Sequence, residues 1–150
     1  MRRVCVDACF LIGLYDESDQ HHAKAKNHFL QLFDAGNNRM VIPWPILYEV
    51  VSTKMARNKT RMFRLENDWK HLNQRNLLDL LPDEPYRKHV IEDSFDELRR
   101  SSNSYRNLSA VDRVVRNILA DRKVPIQAFV TFNCGDFADV CRRFHRQLVC

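Results

Sequence analysis

Short apolar runs alternate with helical stretches along the chain, and that alternation most constrains its fold. Val4–Val6, Met40–Ile42, Leu77–Leu81 and Ile126–Val130 each read as a buried strand, and Gln147–Cys150 as a last, edge strand. Between them, His21–Ala35 puts Ala25, Phe29, Leu32 and Phe33 on one helical face, with Ser18 or Asp19 as its cap. Pro45 suits the first turn of a helix reaching about Ala56. Thr60–Asn76 is helical and charged, with Phe63, Trp69 and Leu72 as its buried positions. Tyr86–Arg100 is helical, and Ser101–Asn107 is polar and loop-like. Ser109–Arg122 is a helix with Val111, Val114, Val115 and Ile118 on its apolar face, and Phe137–Phe144 is a short helix. Strands alternating with helices predict an α/β fold. Continuous apolar strands predict a mostly parallel sheet covered on both faces, a three-layer sandwich. The 150 residues show no repeat and no linker, so a single domain spanning 1–150 is expected.

Composition removes several function classes. Hydrophobic residues are 45% and charged residues 29%, which excludes a disordered chain. With only 3 Gly and no G-x-G-x-x-G or G-x-x-x-x-G-K-[ST], a glycine-rich phosphate loop is excluded. No apolar run reaches the roughly 18 residues of a membrane span. Asp7 interrupts the apolar run from Val4 to Leu14 and no small-residue cleavage site follows, so no signal peptide is read and a cytoplasmic protein is expected. The formal net charge of +5 permits a polyanionic partner without demanding one. Lys54, Arg57, Lys59, Arg61 and Arg64 follow one another with no acid between them, and Arg142, Arg143 and Arg146 form a second cluster. The five cysteines have no zinc-ligand spacing, and free thiols are expected, with Cys5 and Cys9 acting as small hydrophobes. The six histidines are scattered, with no pair at metal-ligand spacing.

The acids carry the chemistry. In a parallel sheet, ligands bind outside the carboxyl ends of the strands. Asp7 directly follows the first strand, inside an apolar run, where a buried carboxylate needs a cation or strong donors. Glu49 lies in the helix that leaves the second strand. Asp112 lies in the first turn of the helix that leads into the fourth strand, three residues after Ser109, as in a capping box. Asp136 follows the fourth strand, beside Gly135, which allows a tight turn. Each acid alone could simply cap a helix or face solvent. Together, four acids from distant segments meet at one edge of one sheet. Two unit charges 4 Å apart repel by about 4 kcal/mol at an effective dielectric of 20, so a cation is called for. Oxygen ligands without His or Cys suit Mg²⁺ or Mn²⁺.

These segments resemble the PIN-domain nucleases, and within them the VapC-type toxins of bacterial toxin–antitoxin pairs. The resemblance is carried by Val4-Cys5-Val6-Asp7-Ala8-Cys9-Phe10-Leu11-Ile12, Pro45-Ile46-Leu47-Tyr48-Glu49-Val50, Leu108-Ser109-Ala110-Val111-Asp112 and Val130-Thr131-Phe132-Asn133-Cys134-Gly135-Asp136-Phe137, in that order over nearly the whole chain. It implies an α/β/α sandwich around a parallel sheet of about five strands, and metal-dependent endoribonuclease activity on single-stranded or structured RNA such as tRNA or rRNA. By position, Asp7, Glu49, Asp112 and Asp136 match the acidic quartet that holds Mg²⁺ or Mn²⁺, with Glu49 acting through water. Ser109, Thr131 and Asn133 match polar residues that orient the acids. Lys54, Arg57, Arg113 and Arg116 are the expected contacts to RNA. The toxin likeness further implies a small antitoxin partner and a homodimer. Two other classes stay open on the residues alone: a non-catalytic RNA-binding domain, and a protein-interaction module whose acids only cap helices.

Overall fold

A computed structural model describes residues 1–100 and 108–150. The expected polar loop Ser101–Asn107 lies outside the described residues. The chain begins with strand β1 (Arg2–Val6) and helix α1 (Ala8–Tyr15). Helix α2 (His22–Phe29) continues as a π-helical turn over Leu30–Asp34, so the expected single helix from His21 to Ala35 changes its winding part-way. Strand β2 (Asn38–Pro43) leads into α3 (Trp44–Val50) and the short α4 (Thr53–Ala56), two pieces where one helix was expected. The long α5 (Lys59–Gln74) precedes β3 (Leu78–Leu81). Next come α6 (Glu84–Arg87) and α7 (Val90–Arg100), again two pieces for one expected helix. Helix α8 (Ala110–Ala120), β4 (Ala128–Val130), α9 (Cys134–Arg143) and β5 (Gln147–Val149) complete the chain.

The five strands form one sheet in the order β3-β2-β1-β4-β5, and every neighbouring pair is parallel. The connections β1→β2→β3 step one way across the sheet, and those into β4 and β5 step the other way. Right-handed crossovers therefore put the two sets of helices on opposite faces. The contacts agree: α1 packs with α2, α3 and α5, while α8 packs with α6, α7 and α9. This is the expected α/β/α sandwich. The direction reverses between β1 and β4, so the carboxyl ends of those two strands form the topological switch point.

The strands are apolar on both faces because both are covered: Val4, Cys5, Val6, Met40, Val41, Ile42, Ala128, Phe129 and Val130 are all buried. Phe129 and Phe137 pack with their rings tilted and centroids 4.8 Å apart, which seats α9 on β4. On α5 the buried positions are Leu65 and Leu72, with Trp69 partly buried. Phe63 is 53% exposed, contrary to the sequence expectation, because it faces away from the Leu65–Leu72 stripe. Arg146, one of the C-terminal basic cluster, is not free for a partner: its guanidinium donates to the carbonyls of Leu119, Asp121, Val124 and Ile126. It closes the end of α8 onto the sheet.

The expectation of five free thiols is corrected. Cys134 and Cys150 form a disulfide with Cα atoms 6.0 Å apart, while Cys5, Cys9 and Cys141 are free. The parallel pairing of β5 with β4 explains this, since it carries the residue after β5 to the start of α9, where Cys134 stands. No described helix is long and apolar enough to cross a membrane.

Candidate active site

Asp7 ends β1 and caps α1. Its backbone N–H donates to the Val130 carbonyl at 3.0 Å, tying the ends of β1 and β4 together. Its side chain is 4% exposed, and three donors hold it. Oδ1 accepts the Ala8 N–H at 2.8 Å, and Oδ2 accepts the Thr131 hydroxyl at 2.6 Å and the Cys9 thiol at 3.1 Å. Burial pushes the Asp7 carboxyl above the usual range and the Asp112 charge pushes it further, while the three donors pull it back.

Thr131 is fully buried at the end of β4. While its hydroxyl donates to Asp7, the same oxygen accepts the Asn133 N–H at 3.0 Å. The loop that leads to Asp136 is thereby fixed to the carboxylate of β1. Asn133 stands at the cap position of α9 without a side-chain cap bond.

Asp112 sits in the capping box that its spacing from Ser109 predicts. The Ser109 hydroxyl accepts the Asp112 N–H at 3.0 Å, and Asp112 Oδ2 accepts the Ser109 N–H at 3.0 Å and its hydroxyl at 2.7 Å. Capping does not take Asp112 away from the site. Its charge helps to raise both Asp7, at the end of β1, and Glu49 on α3. Glu49 is exposed on α3, and its carboxyl is raised first by desolvation, then by Asp7 and Asp112. Asp136 lies in the first turn of α9, exposed, and no described residue hydrogen-bonds or ion-pairs with its carboxylate. Asp7 and Glu49 thus both sense neighbouring carboxylate charge, while Asp136 stands in the first turn of α9, just beyond the loop that Thr131 fixes. Gly135 needs no tight turn: it lies within the helix, and a Cβ there would meet nothing within 4 Å.

The basic residues are mostly engaged. Lys54 pairs with the buried Asp16, which Arg61 also holds. Arg113 pairs with Glu97. Arg116 makes a two-pronged pair with Asp139. Arg57 is exposed beside them at the end of α4.

Cys9 is the residue that sequence reasoning misplaced. Instead of acting as a small hydrophobe, its sulfur donates to Asp7 and accepts the Phe132 N–H at 3.1 Å. Burial pushes the thiol up to about 12, so it stays protonated and serves as a donor. Its position two residues beyond a capping Asp was the only signal.

The donor set tests the fit to a metal. It is all oxygen, and carboxylate charge raises Asp7 and Glu49, which a hard divalent cation would relieve. Among the described residues, no three His, Cys, Asp or Glu side chains converge into a ready-made cage. The chemistry of these oxygens suits a hard divalent cation better than a soft one.

No family model matches the chain, and no curated protein matches it in sequence. Among solved structures, it is similar to Mycobacterium tuberculosis VapC20, described as a toxin that cleaves the sarcin–ricin loop. The TM-score is 0.59 at 18% identity, covering 91% of this chain and 94% of that one. The chain shares that toxin's fold, the fold that the resemblance to PIN-domain nucleases implied. In it Asp7 stands at the carboxyl edge of the sheet, at the switch point between β1 and β4.

Proposed function

We propose that this chain is a metal-dependent endoribonuclease, the toxin of a toxin–antitoxin pair, that cleaves RNA phosphodiester bonds with Asp7, Glu49, Asp112 and Asp136. One observation carries the reading. Asp7, buried and held by Thr131, Cys9 and Ala8 where β1 and β4 end side by side, sits at the edge where a parallel sheet binds ligands, and neighbouring carboxylate charge raises both it and Glu49. Asp7, Glu49 and Asp112 would hold Mg²⁺ or Mn²⁺, with Asp136 completing the set from α9. Such a cation, when bound, lowers the pKa of water and neutralises charge on the phosphate. The chain's own residues do the positioning. Thr131 and Cys9 aim Asp7, and Ser109 aims Asp112. Arg57 and the largely exposed amino group of Lys54 supply positive charge for the RNA backbone. The likeness to a toxin described as cleaving the sarcin–ricin loop supports a structured RNA as substrate; an antitoxin partner, a homodimer and action in the cytoplasm are part of the same proposal.

The test is cleavage of end-labelled RNA hairpins, one of sarcin–ricin type, and a pool of tRNA and rRNA. Reactions contain Mn²⁺, Mg²⁺ or EDTA. The expected result is discrete fragments with either metal, none in EDTA and none with Asp7→Asn. RNA binding without cleavage in any metal would replace this reading with a non-catalytic binder. Neither binding nor cleavage would turn the search to a protein partner.

A further inference from the structure

We infer that Arg116 and Asp139 form a strut that sets the spacing of the two helices carrying Asp112 and Asp136, which makes both positioning residues of the site. The inference rests on the proposed metal-dependent nuclease. Arg116 lies one helical turn beyond Asp112 on α8, so the two side chains share a face. Its Nη1 and Nη2 donate to Asp139 Oδ1 at 2.8 Å and Oδ2 at 2.7 Å, a fork-to-fork geometry. Nη1 also donates to the backbone carbonyl of Asp136 itself. One guanidinium thus joins the helix of Asp112 to the residue that bears the fourth acid and to the residue three beyond it. The Arg116 side chain is 19% exposed and that of Asp139 46%, so the guanidinium is the sheltered end of the pair and the carboxylate the solvated one.

The strut answers a question the site raises. Asp136 is exposed, and its carboxylate has no described partner to hold it in place. Phe137, the Cys134–Cys150 disulfide and the Asn133–Thr131 hydrogen bond tie α9 to the sheet, but none of them ties it to α8. The bidentate guanidinium does, and with direction, because both N–H vectors must stay aligned. A cation that drew on both Asp112 and Asp136, as the proposed function has it, would need them held within about half an ångström of the productive spacing. By sequence, Arg116 reads as a phosphate contact. The geometry assigns its donors to α9 instead.

Two readouts separate the strut from a phosphate contact. One is Mn²⁺ affinity of the RNA-free protein, followed by electron paramagnetic resonance. The other is single-turnover RNA cleavage resolved into affinity and rate at saturation. The variants are Arg116→Lys, which keeps the charge but not the fork, and Asp139→Asn, which removes a negative charge far less disruptive to lose. Their thermal melts identify the working temperature at which both are folded. The strut predicts that each variant weakens Mn²⁺ binding and slows saturated cleavage about tenfold or more, with RNA affinity unchanged. The double variant should be no worse than the worse single one, since both break the same contact. Weaker RNA affinity in Arg116→Lys at an unchanged saturated rate, with Asp139→Asn binding RNA as well or better, would overturn the strut in favour of a phosphate contact. Wild-type Mn²⁺ binding in both variants would also overturn it. Failure of the wild-type protein itself to bind Mn²⁺ or cleave RNA would sink the proposed function, and the strut's role in it, on a separate observation.

Discussion

Thr131 Oγ1 donates to Asp7 Oδ2 at 2.6 Å, joining residues 124 apart in sequence across the switch point of the sheet. Asp7 is buried, and a buried carboxylate is tolerated only while donors hold it. Thr131→Val keeps the shape and removes the hydroxyl, leaving Cys9 as the sole donor to Oδ2. It should cost about 1–3 kcal/mol in urea unfolding. It should also slow RNA cleavage, whereas Thr131→Ser should preserve both. Equal stability of Thr131→Val and wild type would show that the hydroxyl does not support Asp7.

Asp16 provides a pH test away from the candidate site. It is 2% exposed and held by Lys54, Arg61 and Ser18. The Lys54 ammonium, first, holds its carboxyl well below the usual carboxylate range. A folded pKa below the unfolded one stabilises the protein above the unfolded value, and that stability is lost progressively as pH falls from the ordinary carboxylate range down through the lowered folded pKa. Asp16→Asn should therefore cost about 2 kcal/mol at neutral pH, discounted because Lys54 is mostly solvated. The gap to wild type should narrow as pH falls below about 4. Melts at both pH values measure it. A gap that is constant with pH would contradict the ion-pair origin.

The Cys134–Cys150 bridge closes a loop of sequence separation 16. A loop of about 15 residues constrains the unfolded chain by roughly 3 kcal/mol. Reduction, or Cys150→Ser, should lower the melting temperature by roughly 6–12 °C for a domain of this size. Melts with and without reductant decide it, and coincident curves would contradict the bridge.

Much of this architecture was legible in the sequence. Val4–Val6, Met40–Ile42 and the other apolar runs mark all five strands, and alternation with helices gives the parallel order its logic. Asp7 stood out because a carboxylate interrupts an apolar run, and it is the acid most deeply buried at the switch point. The Ser109–Asp112 spacing gave the capping box because that motif is local. What could not be read was whatever depends on long-range placement. Local pattern cannot say that Lys54 meets Asp16, or that Arg116 meets Asp139 across two helices. Cys134 and Cys150 were unreadable as a pair because only the docking of β5 beside β4 brings them together. Phe63 misled because an apolar residue on a charged helix reads as buried unless the neighbouring surface is known.

Neutralising each acid in turn tests the central claim most directly. Asp7→Asn, Glu49→Gln, Asp112→Asn and Asp136→Asn are compared with wild type in single-turnover cleavage of one RNA hairpin with Mn²⁺. If the four acids act as one metal-holding set, every variant loses at least about a hundredfold in rate while still binding the RNA. Cleavage at the wild-type rate by Asp7→Asn, or by any two of the others, would contradict the account.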